Sequence, residues 1–185
     1  LPIVAASSGS TASGFDAINV GNDYEGVVWR SVSAGSIDLI VDLGSDGALD
    51  TLMMFGLSGP PTAATMQLFF ATAAQGSSFS TYAYSTAALP LYAGATPLVS
   101  GKGVALWTAP DAGFPAAVRY ILIRFDGPAD YAAEVGRVAV GQRLRLSRNF
   151  AFGGTFGVRD FSSVDFSSRG ALIRRRGKKR RVASI

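Results

Sequence analysis

Residues 37–43 read Ile-Asp-Leu-Ile-Val-Asp-Leu, which places Ile37, Leu39, Val41 and Leu43 at every second position, with Asp38 and Asp42 between them. A period of two is the signature of a strand with one face buried and one face wet, and it commits the chain to a sheet with a covered side. Similar short runs follow, at 49–55, 65–70, 81–84, 89–92, 104–107, 118–125 and 135–140. Turn-forming residues such as Gly44-Ser-Asp-Gly47 and Pro60-Pro61 separate several of them. Val118–Phe125 is apolar on both faces over its middle, the pattern of a central strand. Residues 5–14, all small or polar, read as a loop or irregular lead-in. With no convincing helical stretch, the chain reads as all-β, a β-sandwich or jelly roll.

Composition narrows the chemistry. The chain has neither His nor Cys, so Ser-His-Asp and Cys-His catalysis, zinc sites built from those residues, and disulfides are excluded. Carboxylate chemistry needs a close pair of acids. The two glutamates, Glu25 and Glu134, are far apart in sequence, and no acid pair stands in an apolar setting. The chain therefore reads as a non-enzyme. No apolar run reaches the length of a membrane span. The chain starts at Leu1 rather than Met and stops in a strand-like stretch, Val182-Ala-Ser-Ile185, so it reads as a piece of a longer one.

Charge divides the chain in two. Residues 143–185 carry twelve Lys/Arg against two Asp, a net of +10. Residues 1–142 carry five against eleven Asp/Glu, a net of −6. The division suggests a sandwich over 1–141 and a basic extension over 142–185. In the extension, Phe150, Phe152, Phe156, Phe161 and Phe166 are spread among Arg, Gly and Ser. Disordered basic tails are poor in aromatics, so these five argue for docking. Arg174, Arg175, Arg176, Lys178, Lys179, Arg180 and Arg181 supply attraction, as a hairpin turning at Gly177 or as a solvated arm. Inter-subunit docking is the leading reading of the arm. Nucleic acid is the rival partner, weighed down by the acidic body and by the lack of a recognisable nucleic-acid-binding motif.

One ordered set of residues carries a resemblance: Ala6-Ser-Ser8, Asp16-Ala-Ile-Asn19, Asn22-Asp23, Trp29-Arg-Ser31, Val41-Asp-Leu-Gly44, Arg119-Tyr-Ile-Leu-Ile123 and Glu134-Val-Gly-Arg-Val138. In order and spacing they resemble the galactose-binding-like (discoidin, or coagulation-factor C-type) domain over residues 5–141. The resemblance implies an eight-stranded jelly roll, usually a binding module with its ligand on loops at one end. It also implies a structural calcium ion near Asp16, Asn19, Asn22 and Asp23, against the simpler reading of a turn stabilised by Asx side chains. Trp29, Arg30, Tyr82 and Tyr84 are then the candidates for stacking on and hydrogen-bonding a host glycan, although Trp29 also reads as a core plug. The basic Phe-containing extension is similar to segments of bacteriophage tail proteins. That likeness implies a virion tail or tail-tip subunit that assembles with copies of itself and with other tail proteins into a ring.

Overall fold

The computed structural model describes residues 1–24, 26–32, 35–58, 63–91 and 102–143, and beyond these the backbone of four further strands. The strands are β1 (Ala5–Ser7), β2 (Trp29–Arg30), β3 (Ser36–Gly47), β4 (Thr51–Ser58), β5 (Thr65–Ala71), β6 (Tyr84–Ser85), β7 (Leu89–Pro90), β8 (Lys102–Thr108), β9 (Val118–Asp126), β10 (Glu134–Val135) and β11 (Arg137–Gly141). Then come β12 (Thr155–Asp160), β13 (Ser163–Phe166), β14 (Leu172–Arg175) and β15 (Lys179–Ser184). A short 3-10 helix, Ala17–Gly21, is the helix among the described residues. The chain divides into two compact units, Leu1–Arg143 and Leu144–Ile185.

The first unit is an antiparallel sandwich. One sheet runs β1-β3-β9-β5-β6, with β7 also on β5; the other runs β11-β4-β8; β2 and β10 form a separate pair. The alternation in β3 is realised: Ile37, Leu39, Val41 and Leu43 are buried, and Asp38 and Asp42 are only partly so. These residues meet Met66, Leu68 and Phe70 of β5 and Ile121, Ile123 and Phe125 of β9 in one core with Leu52 and Met54 of β4, Trp107 of β8 and Val138 of β11. Phe70 and Trp107 join the two sheets, with ring centroids 4.8 Å apart. β9 is central, between β3 and β5, as its apolar run requires. Its outward Leu122 is buried between its register partners Ile40 and Phe69.

Residues 5–14 depart from expectation. Ala5–Ser7 is a strand, pairing with Ile40–Asp42 on the edge of the larger sheet. Small residues carry little strand preference of their own, and the exposed edge of β3 recruits them. Near its end β3 leaves the register of β9, so that Leu43–Asp46 stand against Arg119 alone. Gly44 takes φ +81° in this irregularity, and a Cβ there would lie 2.8 Å from Val4 Cγ2, so a glycine is required. The irregularity turns Arg119 outward onto Asp42: Nε donates to Oδ1 at 2.8 Å and Nη2 to Oδ2 at 3.1 Å. Arg124 and Asp38 repeat the arrangement, both contacts at 2.8 Å.

In the second unit, β12 pairs with β15 and β13 with β14. Asp160 stands opposite Lys179, and Ser163 opposite Arg175, so the register changes by one residue between the two ladders. The basic run is therefore not a hairpin turning at Gly177. Arg174 and Arg175 pair with Val164 and Ser163, and Lys179–Arg181 with Asp160–Val158, in two two-stranded ladders. A hairpin at Gly177 would set cation against cation on successive rungs, which is destabilising. The observed pairing leaves Arg159 opposite Arg180 as the like-charged rung among the described pairs. Phe156, Phe166, Arg174, Arg175, Lys179, Arg180 and Arg181 lie on these strands. Phe150, Phe152, Phe161, Arg176 and Lys178 lie outside the described residues, as do Tyr92 and the Pro60-Pro61 break.

Two outcomes follow from this packing. Trp29 is wholly buried against Phe125, so Trp29→Ala should cost about 3–5 kcal/mol in urea unfolding. The hydrogen bonds from Arg119 hold the Asp42 carboxyl below the usual aspartate range, more than offsetting the opposing effect of its partial burial. A depressed folded-state pKa adds stability above the unfolded value of about 3.9, and that stability is lost as pH falls through the lower folded value. The stability difference between wild type and Asp42→Asn should therefore shrink as urea titrations move from neutral pH to below that range.

Candidate functional site

β2 has two residues, and its alternation splits their roles. Trp29 points into the core, its ring centroid 5.9 Å from that of Phe125 and its indole N–H donating to Thr11 Oγ1 at 3.3 Å. No face of this ring is open to a sugar, and it acts as the plug that closes this end of the sandwich. Arg30 points outward. Its Nε donates to Glu134 Oε2 at 2.9 Å, its Nη2 makes a second, short bond to the same oxygen, and its Cζ sits 4.5 Å from the Phe15 ring centroid. The register opposite Glu134 fixes this pair. Glu134 is almost covered (side chain 10% exposed), whereas Arg30 is 45% exposed. Arg30 thus spends two of its five N–H donors on a fixed carboxylate, and stacking on Phe15 holds its plane. A guanidinium pinned in this way can hydrogen-bond an incoming hydroxyl or carboxylate with little ordering cost.

The segment leading to β2 is stapled by its own amides. Asn19 Nδ2 donates to Val28 O at 3.0 Å, and Asn22 Nδ2 to Asn19 O at 2.5 Å and Val27 O at 3.2 Å. Asn22 Oδ1 accepts from the Tyr24 N–H at 2.6 Å, and the Val27 N–H closes the turn on Tyr24 O at 3.0 Å. Asp23 is paired with Arg137 at 2.7 Å. Asp16 is exposed at the start of the 3-10 helix and makes no capping bond through its side chain. The four residues of the calcium expectation thus lie along one loop, but they do not form an oxygen cage. The amide nitrogens bind backbone carbonyls and Asp23 faces a guanidinium, whereas Ca²⁺ takes six to eight oxygens. The observed arrangement is the Asx-stabilised turn.

That turn exposes Tyr24 to 75%, the largest value among the exposed large hydrophobic residues, with Ile18, Val27 and Val32 also exposed nearby in sequence. Tyr24 was not singled out from sequence. The Asn22-Asp-Tyr24 triplet was the available signal, since an Asx side chain can bond the backbone two residues on and hold it in a turn.

Tyr82 and Tyr84 stand elsewhere. Tyr84 pairs with Phe70, which stands opposite Ile121 in the middle of β9, whereas Trp29 packs on Phe125 near the Asp126 end and β10 pairs with β2 there. Four residues of β9, at about 3.3 Å each, put roughly 13 Å along the strand between these two levels, and β6 lies beyond β5 on the far side of it from β9. Tyr84 is half-buried against Phe70, Trp107 and Phe114, and Tyr82 is 46% exposed, edge-on to Phe69 at 5.3 Å. The four candidate sugar residues therefore do not form one subsite. A cleft of about 180 Å³ on the outer face of the larger sheet is lined by Ser7, Ile40, Asp42, Ser77 and Tyr120, and it takes in none of them.

Replacing Asn22 with Ala should free the turn while leaving the core intact. Amide exchange at Tyr24 and Val27 should accelerate, with the exchange of β3 and β9 unchanged, as read by hydrogen-exchange mass spectrometry.

No protein-family model and no curated protein sequence matches the chain. Solved structures do. The lectin domain of lectinolysin in complex with Lewis b antigen aligns with 76% of this chain and 93% of its own, at 14% identity and a TM-score of 0.54. Chitosan-binding module 1 of a chitosanase/glucanase from Paenibacillus sp. IK-5 aligns with 74% and 92%, at 14% identity and 0.56. The family 32 carbohydrate-binding module of C. perfringens NanJ, in complex with galactose, aligns with 74% and 91%, at 15% identity and 0.55. At these identities the likeness establishes the fold, an all-β galactose-binding-like sandwich.

Proposed function

We propose that this chain is a non-catalytic carbohydrate-binding protein whose binding end is the loop segment leading into β2 and the start of β10. The observation that carries the reading is the presence, within one segment, of a pinned and solvent-facing Arg30–Glu134 fork and of the exposed ring of Tyr24, whose backbone N–H is held by Asn22. A sugar offers an apolar ring face and a rim of hydroxyls, so a fixed aromatic and fixed charged donors are the groups that recognise it. Solved proteins of the same fold bind Lewis b, chitosan and galactose, which supports the reading without naming this chain's sugar. The absence of His and Cys fits recognition rather than turnover.

Residence in a phage tail or tail tip is a separate proposal that rests on the sequence likeness of the basic extension. A tail subunit with a purely structural role would show no saturable sugar binding.

A glycan array followed by calorimetry tests the binding function. Saturable binding of at least one glycan is expected. Tyr24→Ala, which removes an exposed ring and leaves the core intact, should weaken it by about 10-fold or more, and Arg30→Gln by a similar factor. Tyr82→Ala, outside this segment, should leave it unchanged. Loss of binding in Tyr82→Ala alone would move the site to the β5–β6 edge, and no binding at all would remove the function.

A further inference from the structure

The charge division and the ribbon register point to an assembly contact. A two-stranded ribbon has little core of its own. The register of this one places Arg159 opposite Arg180, two residues of like charge. Arg174, Arg175, Lys179, Arg180 and Arg181 lie on β14 and β15, with Arg159 on β12, and the acids on the four strands are Asp160 and Asp165. The one-residue register change falls in the middle of these cations. The ribbon is thus a strip of positive charge without enough acid of its own.

The sandwich has the opposite surplus. Each of its arginines is held by a carboxylate: Arg30 by Glu134, Arg119 by Asp42, Arg124 by Asp38, Arg137 by Asp23 and Arg143 by Asp50. The acids beyond these pairs include Asp16 and Asp130, both exposed, and the half-buried Asp126. Asp126 and Asp130 bracket the turn after β9. Asp16 follows Phe15, whose ring carries Arg30, and so lies toward the same end of the sandwich.

We infer that the ribbon of one copy docks on the acidic sandwich of a second copy, driven by the opposite charge of the two units, six Lys/Arg against eleven Asp/Glu over 1–143 and eleven against two over 144–185. The two surfaces are unlike, so the contact is head-to-tail: each copy gives a ribbon and receives one, and the series closes as a ring or grows as a chain. Opposite charges also steer the approach, which makes the association salt-dependent.

The test is light scattering on the full chain, at low salt and at about 1 M, where the Debye length is about 3 Å. Wild type should show a mass of two or more chains at low salt and one chain at high salt. Two variants then separate the surfaces. The ribbon variant Arg174→Glu/Arg175→Glu/Arg180→Glu turns the Arg159–Arg180 rung into an attractive pair, which favours the ribbon's own fold. The sandwich variant is Asp16→Lys/Asp126→Lys/Asp130→Lys. Each alone should be monomeric. Mixed, the two should form a one-to-one heterodimer through the intact ribbon of one and the intact sandwich of the other. A monomeric wild type at low salt overturns the inference, whether or not the monomer then binds duplex DNA or an acidic polysaccharide. Assembly that survives in the ribbon variant overturns it as well. The salt dependence of wild type decides the matter even if a variant fails to fold.

Discussion

Burial of β9 between β3 and β5 is the constraint on which the rest of the structure depends. Its inward Ile121, Ile123 and Phe125 join the core, and its outward Leu122 is covered by neighbours on both sides. Each buried side chain of this size is worth about 1.5–3 kcal/mol. A one-residue slip would bring Leu122 to the core side and turn Ile121 and Ile123 out to water. The register this enforces puts Asp38 opposite Arg124. It also puts Asp42 beside the register break that turns Arg119 onto it. The forks follow from the core, and as part-exposed pairs they add little to stability themselves.

Those forks matter more for charge than for stability. Each occupies an arginine with one carboxylate, and with eleven acids to six basic residues over 1–143 the excess left over is acidic. Arg30 belongs to the same scheme but has a second use. Its carboxylate partner is nearly covered while the guanidinium is not, so pairing fixes the cation without hiding it. Neutralising pairs and one presented pair thus differ in how deeply the acid sits.

Much of the fold was legible in the sequence. The alternation of 37–43 and the doubly apolar 118–125 gave the half-buried and central strands, because burial is what a period reports. The lead-in 5–7 was not legible, since Ala and Ser pair only because an unsatisfied edge is beside them. For the basic run the sequence left a hairpin at Gly177 and a solvated arm both open, because Gly177 is a good local turn signal; its described residues pair instead with residues 10 to 23 positions earlier, which local sequence does not report. At the candidate site, Arg30 was named through the resemblance that places it after Trp29, whereas Tyr24 was not named, because exposure of a ring is not written in its neighbours' hydropathy.

The sequence by itself determined the all-β class, the lack of His and Cys chemistry, and the opposition of an acidic segment to a basic one, since these are properties of composition and period. The tertiary structure alone decided which side chains share a surface. It buried Trp29 and exposed Arg30 one residue later, put Tyr82 and Tyr84 on Phe69 and Phe70 rather than beside them, and matched each body arginine to a carboxylate. The physical reason is that a strand's period says which residues face the same way, but only the register between strands says what they face.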